Sequence, residues 1–110
     1  MRALAIISLV ALLATPVAAQ SAQTGVASWY AEGHTTANGE RFRPDGLTCA
    51  HRSLPFGTRV QVTYNGRSAV CRVNDRGPFI SGRVLDLSRG MARAIGMLGA
   101  GVARVSYRVL

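Results

Sequence analysis

The chain has 110 residues and a formal net charge of +8, from 13 basic residues, all of them Arg, and five acidic ones. This length allows at most one domain. The charges stand singly between apolar residues, with no basic run and no interleaved aromatic residues, which argues against nucleic-acid binding. They suit an anionic polymer of the cell envelope instead.

The first 19 residues have the pattern of a secretory signal. A short basic start precedes an almost purely apolar run, Ala3 to Ala14, and small residues end at Ala19. Because this run is too short to span a bilayer comfortably, we expect cleavage after Ala19, with an uncleaved anchor as the alternative. No Cys follows the leader where a lipoprotein needs one. We therefore predict an exported monomer, periplasmic or secreted, without a stable membrane anchor.

Short strands separated by turns are predicted along the rest of the chain. Residues 20–24 are small and polar and predict a frayed tail. The aperiodic stretch 32–46 predicts a loop. Ser88 predicts the N-cap of a helix that runs to about Ile95 and stops at Gly96. In chain order, strands are predicted over residues 25–30, 47–51, 59–64, 67–73, 84–86 and 102–109.

Asn65-Gly66 is the strongest short signal, because this dipeptide favours a two-residue type I′ hairpin. The resulting register pairs Tyr64 with Arg67 and Val60 with Cys71, so Cys71 faces the core. Six short strands, one or two short helices and many turns predict a mainly β fold, a small barrel rather than a βαβ sheet. A closed barrel also leaves no open sheet edge.

The two cysteines, Cys49 and Cys71, predict one disulfide if the chain is exported to an oxidising compartment. Such a bridge closes a loop of about 22 residues and contributes roughly 3 kcal/mol on the chain-entropy model. Two buried reduced thiols are the alternative.

Asp75 is the strongest candidate for chemistry. It ends a strand, is flanked by Arg72 and Arg76, and precedes the stiff Gly77-Pro78 turn. With Glu40 and His51 alongside, it would form a carboxylate and imidazole cluster suited to cleaving a glycosidic bond. The alternatives are a solvated turn for Asp75, a solvated loop acid for Glu40 and a backbone-bonded imidazole for His51.

The other candidates have supporting roles. Trp29 and Tyr30 lie next to each other in a strand, so one ring is expected to be exposed and to stack on sugar, with a place in the core as the alternative. Asp86 is predicted to organise the turn before Ser88 or to pair with an Arg. His34, Glu40 and His51 lack metal-ligand spacing, and we expect no metal or cofactor.

The sequence resembles the rare lipoprotein A family of peptidoglycan lytic transglycosylases. The matching segments follow one another across nearly the whole chain after the leader, and the Asn-Asp-Arg-Gly-Pro-Phe block is highly specific. They are residues 25–30, 36–42, 50–58, 73–79 and 82–88.

This resemblance implies a double-psi β-barrel, related to expansin and barwin domains, over residues 25–110. Asp75 falls on the family's essential acid, and Glu40 and His51 fall on its other active-site positions. Asn74 and Arg76 flank the acid and are assigned to substrate binding. The implied reaction cleaves the bond between N-acetylmuramic acid and N-acetylglucosamine, forms a 1,6-anhydro ring, and prefers strands without stem peptides.

Two departures from the family pattern matter. Many members are lipoproteins, whereas the leader here lacks the cysteine for lipid attachment. Many also carry a sporulation-related repeat domain after the barrel, whereas the sequence here stops at Leu110, which leaves septal targeting open. A non-catalytic, expansin-like wall-loosening module and a barwin-like secreted defence protein are the alternatives to a lytic transglycosylase.

Overall fold

The computed structural model describes residues 21–110, which form a closed six-stranded barrel with one short helix. The predicted signal, residues 1–19, lies outside the described residues. Among those that are described, no helix is long and apolar enough to cross a membrane. The elements in chain order are β1 (Gln23–Tyr30), β2 (Thr48–Ala50), β3 (Arg59–Tyr64), β4 (Arg67–Asp75), β5 (Arg83–Ser88), α1 (Arg89–Ala94) and β6 (Val102–Val109).

The strand order around the barrel is β1-β5-β2-β4-β3-β6. The pairs β1/β5 and β2/β4 are parallel, and the remaining neighbours are antiparallel. This arrangement confirms the predicted mainly β fold, and it is that of a double-psi barrel. Strand β1 begins at Gln23, two residues before its predicted start, because Gln23 and Thr24 pair with β6.

The hairpin β3–β4 confirms the predicted register. Tyr64 pairs with Arg67 and Val60 with Cys71, and both turn residues have positive φ, 47° at Asn65 and 78° at Gly66. Positive φ at both positions defines the type I′ turn.

The core lies inside the barrel and under α1. Cys49 and Cys71 are fully buried, and they form the predicted disulfide with a Cα–Cα distance of 5.8 Å. It therefore ties β2 to the β3–β4 hairpin. The other fully buried apolar side chains are Ala27, Val60, Val62, Val73, Leu85, Leu87, Met91, Ala92, Ile95 and Met97.

Helix α1 confirms the predicted cap. The Ser88 hydroxyl accepts a hydrogen bond from Met91 N at 3.2 Å and donates one to Gly46 O at 2.5 Å. Gly90 N donates to Pro44 O at 2.8 Å, and a Cβ at Gly90 would lie 2.3 Å from Asp45 O. A glycine is thus needed here, since the end of the 32–46 loop packs directly on the helix backbone.

Candidate active site

Asp75 lies at the end of β4, where the pairing with β2 is irregular. Cys49 pairs with Val73 and Ala50 with Asp75, so Asn74 is an extra residue on β4. Such bulges redirect side chains and are common beside active sites. Asp75 pairs with Ala50 on β2, Ala50 pairs with Asp86 on β5, and Asp86 pairs with Ser28 on β1. These four side chains therefore share one face of the sheet.

Three donors hold the Asp75 carboxylate. Its Oδ1 accepts hydrogen bonds from Ala37 N and Arg76 N, both at 2.9 Å. Its Oδ2 accepts one from the Tyr30 hydroxyl at 3.1 Å. Two amide donors fill the lone pairs of Oδ1. Oδ2 is consequently the oxygen with room for a transferable proton.

Tyr30 contacts the acid directly, which differs from the sugar-stacking role predicted for it. Its ring stacks on Phe42 at a centroid distance of 4.7 Å, so one ring face is already covered. Burial and the neighbouring Asp75 raise the pKa of the Tyr30 hydroxyl well above its usual value. The phenol therefore keeps its proton at neutral pH and remains a donor to Asp75.

Glu40 is held as a carboxylate by an ion pair with Arg72. The two terminal guanidinium nitrogens of Arg72 donate to the two carboxylate oxygens, and Asn38 Nδ2 donates to Oε1 at 2.6 Å. These hydrogen bonds, Arg72 first and then Asn38, lower the pKa of Glu40 to about 2. Because it stays ionised at neutral pH, Glu40 is unsuited to be the proton donor and instead fixes the loop that carries Ala37.

His51 is joined to Asp75 through the backbone, with His51 N donating to Asp75 O at 3.3 Å. Its ring Nδ1 accepts hydrogen bonds from Ser53 N at 3.1 Å and Leu54 N at 3.0 Å. Burial, then Arg52 and Arg76, lower the pKa of His51. The imidazole is thus neutral at pH 7 with its proton on Nε2.

The His51 ring makes no hydrogen bond to Asp75 or Glu40 in the described structure. With Gln23, Leu54 and Tyr107 it lines a cavity of about 180 Å³ whose wall includes neither acid. Its catalytic role stays a prediction, and its observed contacts are those of a residue that shapes the loop after β2.

Arg76 is turned toward the protein, in contrast to its predicted place in substrate binding. Its guanidinium donates to His51 O at 3.3 Å and Leu54 O at 2.9 Å and lies 3.9 Å above the Phe56 ring. These contacts pin the loop after β2 beside the acid. Asn74, the other predicted binding residue, is 2% exposed and donates to Glu40 Oε2 at 3.4 Å.

Trp29 is placed away from the acid, which corrects its assignment as a sugar platform. Tyr30 faces Asp75, so the neighbouring Trp29 points to the opposite face of β1. Its indole N–H donates to Leu98 O at 3.1 Å, and its ring packs against the core. Trp29 thereby anchors the segment that follows α1.

Asp86 accepts a hydrogen bond from the Ser28 hydroxyl and forms no ion pair within residues 21–110. Of the two roles predicted for Asp86, pairing with an Arg is therefore wrong, since its partner is a serine on β1, and organising the turn before Ser88 stays a prediction. Asp86 also contributes to the raised pKa of Tyr30. Asp86 lies two strands away from Asp75, and the small Ala50 on β2 is the residue between them.

Comparison with known proteins gives the family. The family model described as "Lytic transglycolase" matches residues 22–107. The chain belongs to this family.

Relatives and solved structures agree with the family assignment. The chain is 60% identical over 93 residues to the probable endolytic peptidoglycan transglycosylase RlpA of Nostoc sp., covering 78% of this chain and 25% of that protein. It is 58% identical over 91 residues to the protein of the same name from Synechocystis sp., covering 78% and 28%. The chain thus spans about a quarter of these relatives' length.

The fold also matches a solved expansin. A point mutant of Clavibacter michiganensis expansin in complex with cellohexaose superposes with a TM-score of 0.66 and 25% identity. The superposition covers 81% of this chain and 50% of the expansin.

Several contacts of this lytic transglycosylase-family site were missed by the sequence reasoning. The Ala37 amide, the Phe42 ring and the pairing of Arg72 with Glu40 all depend on how the 32–46 loop folds back onto the ends of β1 and β4. Phe79 is 83% exposed on the loop after Asp75. In the sequence, the signal for it was an aromatic residue directly after the Gly77-Pro78 turn, where an exposed ring suited to sugar could have been predicted.

Proposed function

We propose that the protein is an endolytic peptidoglycan lytic transglycosylase, with Asp75 as acid and then base. It cleaves between N-acetylmuramic acid and N-acetylglucosamine and leaves a 1,6-anhydro end. The observation that carries this proposal is the Asp75 carboxyl group, whose Oδ1 is filled by two amides while Oδ2 can carry a proton. Family membership and the names of the relatives support the same reaction.

In this mechanism Asp75 Oδ2 donates its proton to the glycosidic oxygen as the bond to the anomeric carbon breaks. The carboxylate then accepts the proton of the muramic acid C6 hydroxyl, whose oxygen closes the anhydro ring. No water enters, so one carboxyl group performs both steps. Tyr30 keeps donating to Oδ2 and holds the carboxyl orientation through both transfers.

The substrate surface lies on the loops around the acid. Phe79 and Phe56 are 83% and 42% exposed, and the Phe79 ring would lie 3.6 Å from a Cβ at Gly77, two residues from Asp75. The faces of Phe79, and the face of Phe56 that Arg76 does not cover, suit stacking on sugar rings. The complex of the related expansin with cellohexaose supports the binding of a glycan chain to this fold.

The proposal has three further parts. The protein prefers glycan strands without stem peptides, it acts as a monomer, and it is exported under the signal of residues 1–19. The net charge of +8 supports an anionic wall polymer as the partner.

Mass spectrometry of the products from purified, peptide-stripped glycan tests the reaction. Wild-type protein is expected to produce anhydro-muramic ends, and Asp75→Asn to produce none while it keeps its fold and glycan binding. Reducing ends would mean hydrolysis by water and would overturn the single-acid mechanism.

A non-catalytic wall-loosening module is the second candidate, favoured by the likeness to expansin. Intact glycan binding with no product from the wild-type protein, together with weakening of wall material under load, would decide for this candidate.

A further inference from the structure

A second cleft lies beside the acid, on the outer side of β4 and the 32–46 loop. It has a volume of about 300 Å³. It shares Glu40 and Asn74 with the site described above, so a ligand at Asp75 can extend into it. The side chains and backbone that line it belong to Glu40, Arg41, Arg43, Gly46, Leu47, Thr48, Arg72 and Asn74.

Two buried polar atoms in this lining lack a partner within the described structure. They are Asn74 Oδ1 and Thr48 Oγ1, on residues that are 2% and 9% exposed. Leaving a buried acceptor unsatisfied costs free energy, so such atoms are rare in native proteins. Both belong to residues that line the cleft, so its inner wall is polar.

The cleft also has an excess of positive charge. Arg72 is matched by Glu40, but the guanidinium groups of Arg41 and Arg43 form no ion pair or hydrogen bond within residues 21–110. The nearest other acid along the chain, Asp45, is bonded to Arg89 and Arg93 and does not line the cleft. Arg41 and Arg43 therefore give the lining of the cleft two unmatched positive charges.

We infer that this cleft binds a carboxylate carried by the acylated amino-sugar substrate, through Arg41 and Arg43. Guanidinium groups pair with carboxylates in a bidentate geometry. This subsite rests on the proposed function, because it extends the glycan that occupies the Asp75 site.

The carboxylate has two chemical sources in a wall polymer, the lactyl ether of a peptide-free muramic acid or a stem peptide. Titration calorimetry in the Asp75→Asn background separates them without turnover. The three ligands are a peptide-free glycan oligosaccharide, the same oligosaccharide with its carboxylates converted to methylamides, and a strand that keeps its stem peptides.

The variants are Arg41→Gln, Arg43→Gln and both together, with Arg104→Gln as the matched control. Arg104 is exposed on β6 and lines no part of the cleft. Each cleft substitution is expected to lower the affinity for one carboxylate ligand about tenfold. It is expected to change the affinity for the methylamide by no more than about twofold. Arg104→Gln is expected to change none of the affinities beyond about twofold.

A tenfold loss of affinity for the peptide-free strand identifies the lactyl carboxylate as the bound group. The same loss of affinity confined to the peptide-bearing strand identifies a carboxylate of the stem peptide. Equal losses for the acid and its methylamide, or a loss as large in Arg104→Gln, would overturn the inference. Because binding is measured without catalysis, a wild-type protein that makes no anhydro ends defeats the proposed function and leaves this result standing.

Discussion

The Tyr30 hydroxyl donates to Asp75 Oδ2 at 3.1 Å, although the two residues are 45 positions apart in the chain. The contact joins the end of β1 to the end of β4 and fixes the oxygen that carries the proton in the proposed mechanism. Removing the hydroxyl with Tyr30→Phe leaves the stacking on Phe42 in place. Since a hydrogen bond to a charged group is worth a factor of about ten or more, kcat is expected to fall at least about tenfold.

The rate of anhydro-end formation and a thermal melt check this prediction together. Tyr64→Phe is the matched control, because Tyr64 lies at the far end of the β3–β4 hairpin. An unchanged kcat in a folded Tyr30→Phe protein would show that Tyr30 does not position the acid.

Glu40→Gln is expected to lower the rate without changing the shape of the pH–rate profile above about pH 4. Glu40 has a pKa of about 2, so the stabilisation from its charge is full above its ordinary pKa and is lost only as the pH falls toward 2. The substitution frees Arg72 and loosens the loop that presents the Ala37 amide to Asp75.

Glu32→Gln serves as the control, because Glu32 is an exposed acid of the same loop region. A pH–rate limb near neutrality that vanishes in Glu40→Gln would identify Glu40 as a titrating catalytic group and contradict the positioning role.

Reduction of the Cys49–Cys71 disulfide is expected to lower the free energy of unfolding by about 3 kcal/mol. The bridge closes a loop of 22 residues between β2 and the hairpin, and opening it increases the entropy of the unfolded chain. Urea melts with and without reductant measure the change, and Cys49→Ala/Cys71→Ala should reproduce it. A reduced protein as stable as the oxidised one would show that the bridge contributes nothing.

His51 is expected to make the protein less stable as the pH falls below about 6.5. Burial and the neighbouring arginines lower its pKa in the folded state, so the stabilisation is full above the unfolded value and is lost as the pH falls through the folded one. Protonation of Nδ1 also breaks the bonds from the Ser53 and Leu54 amides.

Thermal melts between pH 4 and 8 test this for the wild type and for His51→Gln, with His34→Gln as the control on an exposed loop. The decline should be smaller in His51→Gln alone. A decline of the same size in all three proteins would assign the effect to other groups.

The sequence by itself determined the elements and their local geometry. Asn65-Gly66 set the register that turns Cys71 inward, and Ser88 capped α1, because turn and cap preferences depend on residues only a few positions apart. Asp75 at the end of β4 was predicted as the catalytic acid in the same way, from the strand and the stiff turn that surround it.

Only the tertiary structure decided what surrounds that acid. Ala37, Tyr30 and Ser28 reach their partners over separations of 38, 45 and 58 residues. Periodicity predicts which face of a strand a residue occupies, but the crossing order of the strands decides which residues of other strands lie beside it. For that reason Trp29 and Arg76 were assigned to substrate binding, while barrel closure turned Trp29 to the core and Arg76 to the loop after β2.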